Sequence, residues 1–180
     1  DQVRFIRADD PDKRPPSIDW IISRAKAMVL QFGLRGLVID PYNEIESTRD
    51  QHMTETEYVS YMLGKIKRFA QTYDVHVWIV AHPRKINAID GVVPVPGLYD
   101  IAASAHWANK ADLGWCVHRD RNEPSKPSEV HILKVRFKEC GTAGGVAKFN
   151  WDRWSGRYTP AVESVPTYHC LLYTSDAADE

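Results

Sequence analysis

The sequence predicts an α/β fold in which a mainly parallel central sheet is flanked by helices and followed by a β-hairpin. Two short apolar runs, residues 37–39 and 77–81, each stop abruptly at a polar side chain, Asp40 and His82. Such runs are typical of buried parallel strands, whose two faces are both covered by helices. A stretch with helical spacing lies between them, so we expect a strand–helix–strand unit with a right-handed crossover.

The first half of the chain predicts two strand–helix pairs and a third strand. Val3-Arg4-Phe5-Ile6 reads as an opening strand, and a polar, proline-rich loop follows it. Ser17 is a suitable N-cap for a helix whose apolar residues recur every three or four positions up to Phe32, with Gly33 as its terminating glycine. Thr54-Glu55-Thr56-Glu57 matches a capping box and opens the second helix, which leads into a strand from Val75 to Ala81.

The second half predicts a long loop and then mostly strands. Residues 83–103 are rich in Pro, Gly and Val without a period, and loops of this length are usually functional or mobile. A short helix is expected from Ser104 to Asp112. The expected strands are Leu113–His118, Glu129–Arg136 and Val146–Trp151, with a terminal hairpin turn at Ser155-Gly156. We expect one domain over residues 1–160 and a disordered or non-native tail over residues 161–180.

Composition excludes several classes of protein. The net charge of −1 provides no global attraction to nucleic acid or to a membrane, so any such attraction must come from local patches. The three cysteines lack a disulfide-framework spacing, which fits a reducing compartment. No apolar run approaches the ~18 residues of a membrane span. We therefore expect a cytoplasmic protein.

The polar residues at the strand ends are the first candidates for chemistry. In open α/β sheets ligands bind outside the carboxyl ends of the strands, where Asp40 and His82 are expected to lie. A carboxylate there can hold Mg²⁺, usually through its water shell, against the phosphates of a nucleotide. Glu44 can add a second carboxylate or activate water. The alternatives are a loop-capping aspartate, a solvated glutamate and a structural histidine.

Basic residues form two further candidate groups. Lys134, Arg136 and Lys138 share one face of a predicted strand, and an arginine can supply charge to a phosphoryl transition state. The alternative is the charged outer face of an edge strand. Arg84 and Lys85 follow His82 directly and can meet a nucleic-acid backbone, although two basic loop residues are commonly just solvated.

Two other motifs are rejected on spacing. Cys116, His118, His131 and Cys140 lack the close paired spacing of structural zinc sites. No G-x-x-x-x-G-K-[ST] sequence occurs, and the glycine cluster 141–145 lacks the following Lys-Ser/Thr. We expect the phosphate-cradling loop to lie upstream of these residues, and the 180-residue chain alone to hydrolyse little or no ATP.

The order of these features resembles the C-terminal half of the RecA-like P-loop NTPase motor in DnaB-type hexameric replicative helicases, especially the phage and Twinkle-like branch. Leu37–Asp40 resembles the Walker B strand, and Ile79–His82 resembles the next motif, whose last residue senses the γ-phosphate. Residues 86–112 resemble the central DNA-binding loop and the segment after it. Lys134-Val135-Arg136 resembles the Lys-x-Arg pair whose arginine acts in trans. This chain has Ala103-Ser104 where the family commonly has Gly-Ser.

The resemblance implies a set of roles for individual residues. Asp40 would hold the metal, and the catalytic group would be Asp40, Glu44, His82, Lys134 and Arg136. Contacts to the nucleotide base would come from Arg119 and Trp151. Contacts to DNA would come from Arg84, Lys85, Asn87, Ser104 and Lys110.

The function implied is an ATP-dependent DNA helicase motor, and the resemblance implies a bacterial or phage-infected cell. It would use ATP or another nucleoside triphosphate with Mg²⁺, move along single-stranded DNA and form a homo-oligomeric ring, most simply a hexamer. Two alternatives stay open: a RecA-like ATPase that loads or recombines DNA without unwinding it, and a DNA-binding or assembly module without turnover.

Overall fold

Helices and strands alternate in the first half of the chain, and strands dominate the second half. The computed structural model describes residues 3–7, 16–45, 53–88, 93–101, 105–120 and 122–161. Within that part the helices are α1 (Ile18–Phe32), α2 (Glu55–Tyr73) and α3 (His106–Lys110). The strands are β1 (Gly36–Ile39), β2 (His76–Ile79), β3 (Leu113–His118), β4 (Ser128–Val135), β5 (Val146–Trp151) and β6 (Tyr158–Pro160). Short 3-10 turns occupy Tyr42–Glu44, Leu98–Asp100 and Lys138–Cys140.

Both long helices begin at the residues that the sequence predicts, and α1 also ends at the predicted glycine. The Ser17 hydroxyl accepts a hydrogen bond from the Trp20 backbone N–H, and Gly33 ends α1 with a φ of 65°. At the start of α2, the Glu57 N–H donates to Thr54 Oγ1 while the Thr54 N–H donates to the Glu57 carboxylate, at 3.3 and 2.8 Å. These bonds satisfy N–H groups that a helix start otherwise leaves without partners.

A parallel strand pair and the two long helices form the main core. β1 and β2 pair in parallel with Ile39 opposite Ile79, as expected for two strands joined through α2. Leu37 and Ile39 are buried against residues of α1, α2 and α3. The most deeply buried large side chains are Ile18, Tyr58, Val59 and Met62. Replacing any of these by alanine would leave a cavity, which typically costs about 2–5 kcal/mol.

The prediction that helices cover both faces of this sheet is wrong for the described residues. Val38 is 62% exposed, and Trp78 and Val80 are each 39% exposed, so one face of β1 and β2 has no cover there. Both long helices pack on the opposite face, together with Trp107 of α3. An apolar run in the sequence shows that both faces are apolar, but it does not show what covers each face.

The remaining four strands form a separate antiparallel sheet in the order β3-β4-β5-β6. The α/β class and the terminal hairpin are therefore confirmed, whereas the mainly parallel character is not: in the described part only β1 and β2 run parallel. The reason is connection length. Residues 119–127 and 136–145 are too short to carry a parallel crossover, which needs a dozen or more residues, so each neighbouring pair closes as a hairpin.

A smaller difference concerns the beginning of the chain. The expected opening strand does not form: residues 3–7 have no strand assignment, and Val3 and Phe5 are more than two-thirds exposed. A strand requires a hydrogen-bonded neighbour, and β1 pairs only with β2 in the described part.

Among the described helices, none combines the length and the apolarity that crossing a bilayer requires. The predicted tail falls almost entirely on residues 162–180, outside the described residues.

Candidate nucleotide and DNA site

Asp40 and His82 follow the two parallel strands at the same end of the pair. Asp40 directly follows β1, and His82 comes three residues after β2 ends. The strand ends are held in register because the Val80 N–H donates to the Ile39 carbonyl and the Tyr42 N–H donates to the Val80 carbonyl, at 2.9 and 2.8 Å. Both Asp40 and His82 are exposed, so a ligand can reach them.

The turn after Asp40 fixes the position of Glu44. The Asp40–Pro41 peptide is cis, and the 3-10 turn Tyr42–Glu44 follows at once. The Tyr42 ring packs edge-on against the buried Trp107 ring, with centroids 4.9 Å apart. Glu44 is exposed at the end of this turn. Two carboxylates, Asp40 and Glu44, thus stand within one short turn of the strand edge.

The two ends of the segment after His82 contact each other. Pro83 and Ile101 form an antiparallel bridge, and the Arg84 N–H donates to the Asp100 carbonyl at 2.7 Å. The Arg84 guanidinium also faces the Asp100 carboxylate at 3.4 Å. Leu98 packs on Gly114, where a β-carbon would lie only 2.7 Å from the Leu98 side chain. The base of the predicted DNA loop is therefore fastened to β3.

The other predicted DNA contacts have different surroundings. Lys85 and Asn87 are exposed beside Arg84. Lys110 is not a free cation: its ammonium donates to the Ser60 carbonyl at 2.6 Å and to the Ser60 hydroxyl at 2.9 Å, which joins α3 to α2. Ser104 lies outside the described residues.

Lys134 and Arg136 both reach the C-terminal end of α3. Lys134 donates to the Ala108 carbonyl, and Arg136 donates to the carbonyls of Asn109 at 2.5 Å and Ala111 at 3.3 Å. Cations are favourable there because the last carbonyls of a helix lack partners. Burial lowers the pKa of Lys134, and the neighbouring positive charge of Arg136 lowers it further.

Arg136 also belongs to an ion-pair group that sequence reasoning missed. Its Nε lies 3.2 Å from the Asp112 carboxylate, which Lys67 of α2 approaches to 2.8 Å from its ammonium nitrogen. A cleft of about 300 Å³ between α2 and α3 is lined by Lys67, Arg68, Lys110 and Arg136 among others. The alternative of an edge-strand face stays open, because β4 pairs with β5 only over Ser128–His131 and Lys134 lies beyond that stretch. Lys138 lies beyond β4, in the 3-10 turn, and is exposed.

Arg119 and Trp151 come together as a third group. The Arg119 guanidinium carbon lies 5.3 Å from the centroid of the Trp151 ring, within the range of a cation–π contact. Arg119 also donates to the Pro124 carbonyl at 3.4 Å. Trp151 is 42% exposed. A half-exposed ring beside a guanidinium offers two flat surfaces on which a base can stack.

These observations describe an α/β fold with polar residues at the ends of its parallel strands, and comparisons with known proteins show which fold this is. No family model matches the chain. It is 50% identical over 156 residues to the Twinkle homolog protein, chloroplastic/mitochondrial, of Arabidopsis thaliana, a match that covers 84% of this chain and 22% of that protein. The chain thus spans about a fifth of this curated relative.

Two solved structures share the fold. One is an ATPase domain that superposes with a TM-score of 0.66 at 21% identity, over 81% of this chain and 52% of that one. The other is a DnaB-like replicative helicase solved in a study of its interactions with primase. It superposes with a TM-score of 0.65 at 22% identity, over 82% of this chain and 36% of that one. The chain therefore has the fold of a RecA-like helicase ATPase domain, and its similarity to the Twinkle homolog agrees with the predicted DnaB-type family. The name of the Arabidopsis relative places that protein in organelles, and a cytoplasmic location for this chain stays a prediction.

Proposed function

We propose that these residues form part of the ATP-hydrolysing motor of a ring-forming helicase that moves along single-stranded DNA. The observation that carries the proposal is the strand edge at which Asp40 follows β1 and His82 follows β2, in a chain that is 50% identical over 156 residues to a Twinkle homolog. A carboxylate and an imidazole on neighbouring strand ends suit a site that holds a nucleotide and reports its state to the rest of the domain.

The residues at this edge fit Mg²⁺. Asp40 is an exposed, hard oxygen ligand, and Glu44 adds a second carboxylate within one turn. Mg²⁺ bound to ATP would neutralise charge that develops on the phosphates. In the proposal, Asp40 orients the metal's water shell, and His82 donates a hydrogen bond toward the γ-phosphate. Arg119 and Trp151 stack on the base.

Arg136 is proposed to act on the nucleotide of a neighbouring subunit. Its side chain is about one-third exposed at the rim of a cleft that other cations also line. Asp112 fixes the guanidinium, and a fixed donor needs little reorganisation when charge develops. This arrangement supports a homo-oligomeric ring, most simply a hexamer, in which Lys134 holds α3 beside Arg136.

The segment after His82 is proposed to contact DNA. It follows His82, which lies three residues past β2, and carries Arg84, Lys85 and Asn87 as exposed residues. Because Pro83 bridges to Ile101, a shift at His82 would be passed to both ends of the loop. Lys110 is better assigned to joining α3 and α2, and any contact it makes with DNA would have to compete with Ser60.

Replacing Lys85 by glutamine should weaken single-stranded DNA binding by the intact protein and lower its salt dependence. Loss of one phosphate contact removes roughly 0.7 from the slope of log affinity against log salt. Fluorescence anisotropy at several salt concentrations measures both quantities. Lys26→Gln is the matched control, since it removes one exposed charge from α1 rather than from the segment after His82. Equal slopes of log affinity against log salt for the two variants would show that Lys85 does not contact the DNA.

A strand-displacement measurement separates the proposed helicase from a RecA-like ATPase that loads or recombines DNA. The intact protein is expected to release one strand of a forked duplex only when hydrolysable nucleotide is present. DNA-stimulated hydrolysis without displacement would favour the loading ATPase. Binding without any hydrolysis would favour an assembly module.

A further inference from the structure

One face of the β3–β4 hairpin gathers two imidazoles and a carboxylate. His118 of β3 pairs directly opposite Glu129 of β4, and Cys116 pairs opposite His131. Residues opposite each other in an antiparallel pair point to the same face, as do residues two apart on one strand. His118, Glu129 and His131 therefore share a face, and all three are partly buried.

The distances within this group suit a metal ion. One ligand atom from each of His118, Glu129 and His131 lies within 4.8 Å of the others. His131 Nε2 and Glu129 Oε2 are already 2.9 Å apart, and the two imidazole rings stand nearly perpendicular with centroids 6.2 Å apart. Tetrahedral Zn²⁺ with nitrogen and oxygen ligands at ~2.0–2.2 Å needs ligand atoms roughly 3.3 Å from one another. Side-chain rotations alone can close that difference, because both strands are held in register.

We propose that His118, Glu129 and His131 form a Zn²⁺ site that joins β3 to β4. The ligand set, two imidazoles and one carboxylate, leaves a fourth position for water. It favours zinc over Mg²⁺, since Mg²⁺ takes oxygen ligands. Lys148 of β5 lies 3.5 Å from the other oxygen of Glu129 and orients the carboxylate from outside the ligand set.

Spacing along the sequence does not reveal this site, because its third ligand is a glutamate brought in by strand pairing. Of the four cysteines and histidines rejected on spacing, His118 and His131 do meet, and Cys116 lies opposite His131, whereas Cys140 lies in the exposed turn after β4. The third ligand within reach of both imidazoles is Glu129. The site does not depend on the proposed helicase function, because its three ligands belong to none of the groups assigned to ATP or DNA.

The test is Zn²⁺ binding by the protein, measured by competition with a chromophoric chelator. We expect one Zn²⁺ per chain, with Mg²⁺ in large excess leaving the affinity unchanged. His118→Ala and His131→Ala should each weaken binding by more than ~100-fold, since loss of an outer partner alone costs 10–100-fold. His76→Gln, which changes an exposed histidine on β2, is the matched control and should bind as tightly as the original chain.

Two results would overturn the site. One is a wild-type chain that binds no Zn²⁺ at micromolar concentrations. The other is a His131→Ala chain that still binds with wild-type affinity. Cobalt substitution gives a second readout that does not depend on the stability of the variants: bound Co²⁺ should show the visible absorption of a tetrahedral nitrogen–oxygen site. A spectrum of six-coordinate aqueous Co²⁺ in the folded wild-type chain would contradict the proposed ligands.

Discussion

Replacing Arg136 by alanine is expected to lower ATP hydrolysis by the assembled ring ~10³-fold or more while leaving nucleotide binding largely intact. Loss of an arginine that stabilises transition-state charge typically has an effect of this size. The measurement is steady-state hydrolysis beside equilibrium binding of a fluorescent nucleotide, in a protein that joins these residues to a phosphate-binding loop.

The structure makes a control for this variant necessary, because Arg136 also holds the end of α3 and pairs with Asp112. Lys67→Met removes the other cation from Asp112 and should leave hydrolysis within a few-fold of wild type. Arg136→Lys keeps one charge but loses the planar fork, so it should restore stability better than activity. If Arg136→Lys recovers full activity, the residue is structural.

Mixed rings distinguish action on the neighbour from action within one subunit. Subunits carrying Arg136→Ala are mixed with subunits whose phosphate-binding loop is inactivated. Some interfaces then combine an intact Arg136 with an intact phosphate loop, and hydrolysis should partly recover. No recovery at any mixing ratio would place Arg136 within its own subunit.

Replacing Asp40 by asparagine should lower Mg²⁺-dependent hydrolysis at least ~10–100-fold. This is the range typical of losing a residue that orients a metal's ligands, and Asp40 is proposed to act through the water shell. The side chain is exposed just past β1, so the fold should survive, and thermal unfolding checks this. Raising the Mg²⁺ concentration should partly restore the rate.

Glu44→Gln tests the second carboxylate of the proposed Mg²⁺ site, since it changes the neighbouring acid in the same turn. A loss equal to that of Asp40→Asn would indicate that both carboxylates act on the nucleotide. Unchanged activity would show that Glu44 is a solvated loop residue. If Asp40→Asn itself hydrolyses ATP normally, Asp40 only caps its loop and the assignment of this strand edge fails.

Local signals in the sequence predicted the helices and strand ends well. Ser17, Gly33 and the Thr54–Glu57 capping box act within a few residues, so their hydrogen bonds follow from sequence alone. The apolar runs before Asp40 and His82 located β1 and β2 for the same reason. Side-chain contacts across the fold were not predictable in this way: Ser60 binds Lys110 fifty positions away, and no local pattern marks that pair.

The strand register explains why the cluster of His118, Glu129 and His131 was missed. The pairing of β3 with β4 shifts between Gly114 and Trp115, and a slip by one residue would turn each side chain to the opposite face. A sequence does not reveal the position of such a bulge. Spacing along the chain does not point to Glu129, whereas the strand pairing places it directly opposite His118.

The most direct test of the central claim is whether single-stranded DNA accelerates Mg²⁺-dependent ATP hydrolysis through His82. In the intact protein we expect that DNA raises the hydrolysis rate and that His82→Ala removes this stimulation while retaining binding of both nucleotide and DNA. Hydrolysis that stays DNA-stimulated in His82→Ala, or a wild-type protein that binds both ligands without hydrolysing ATP, would contradict it.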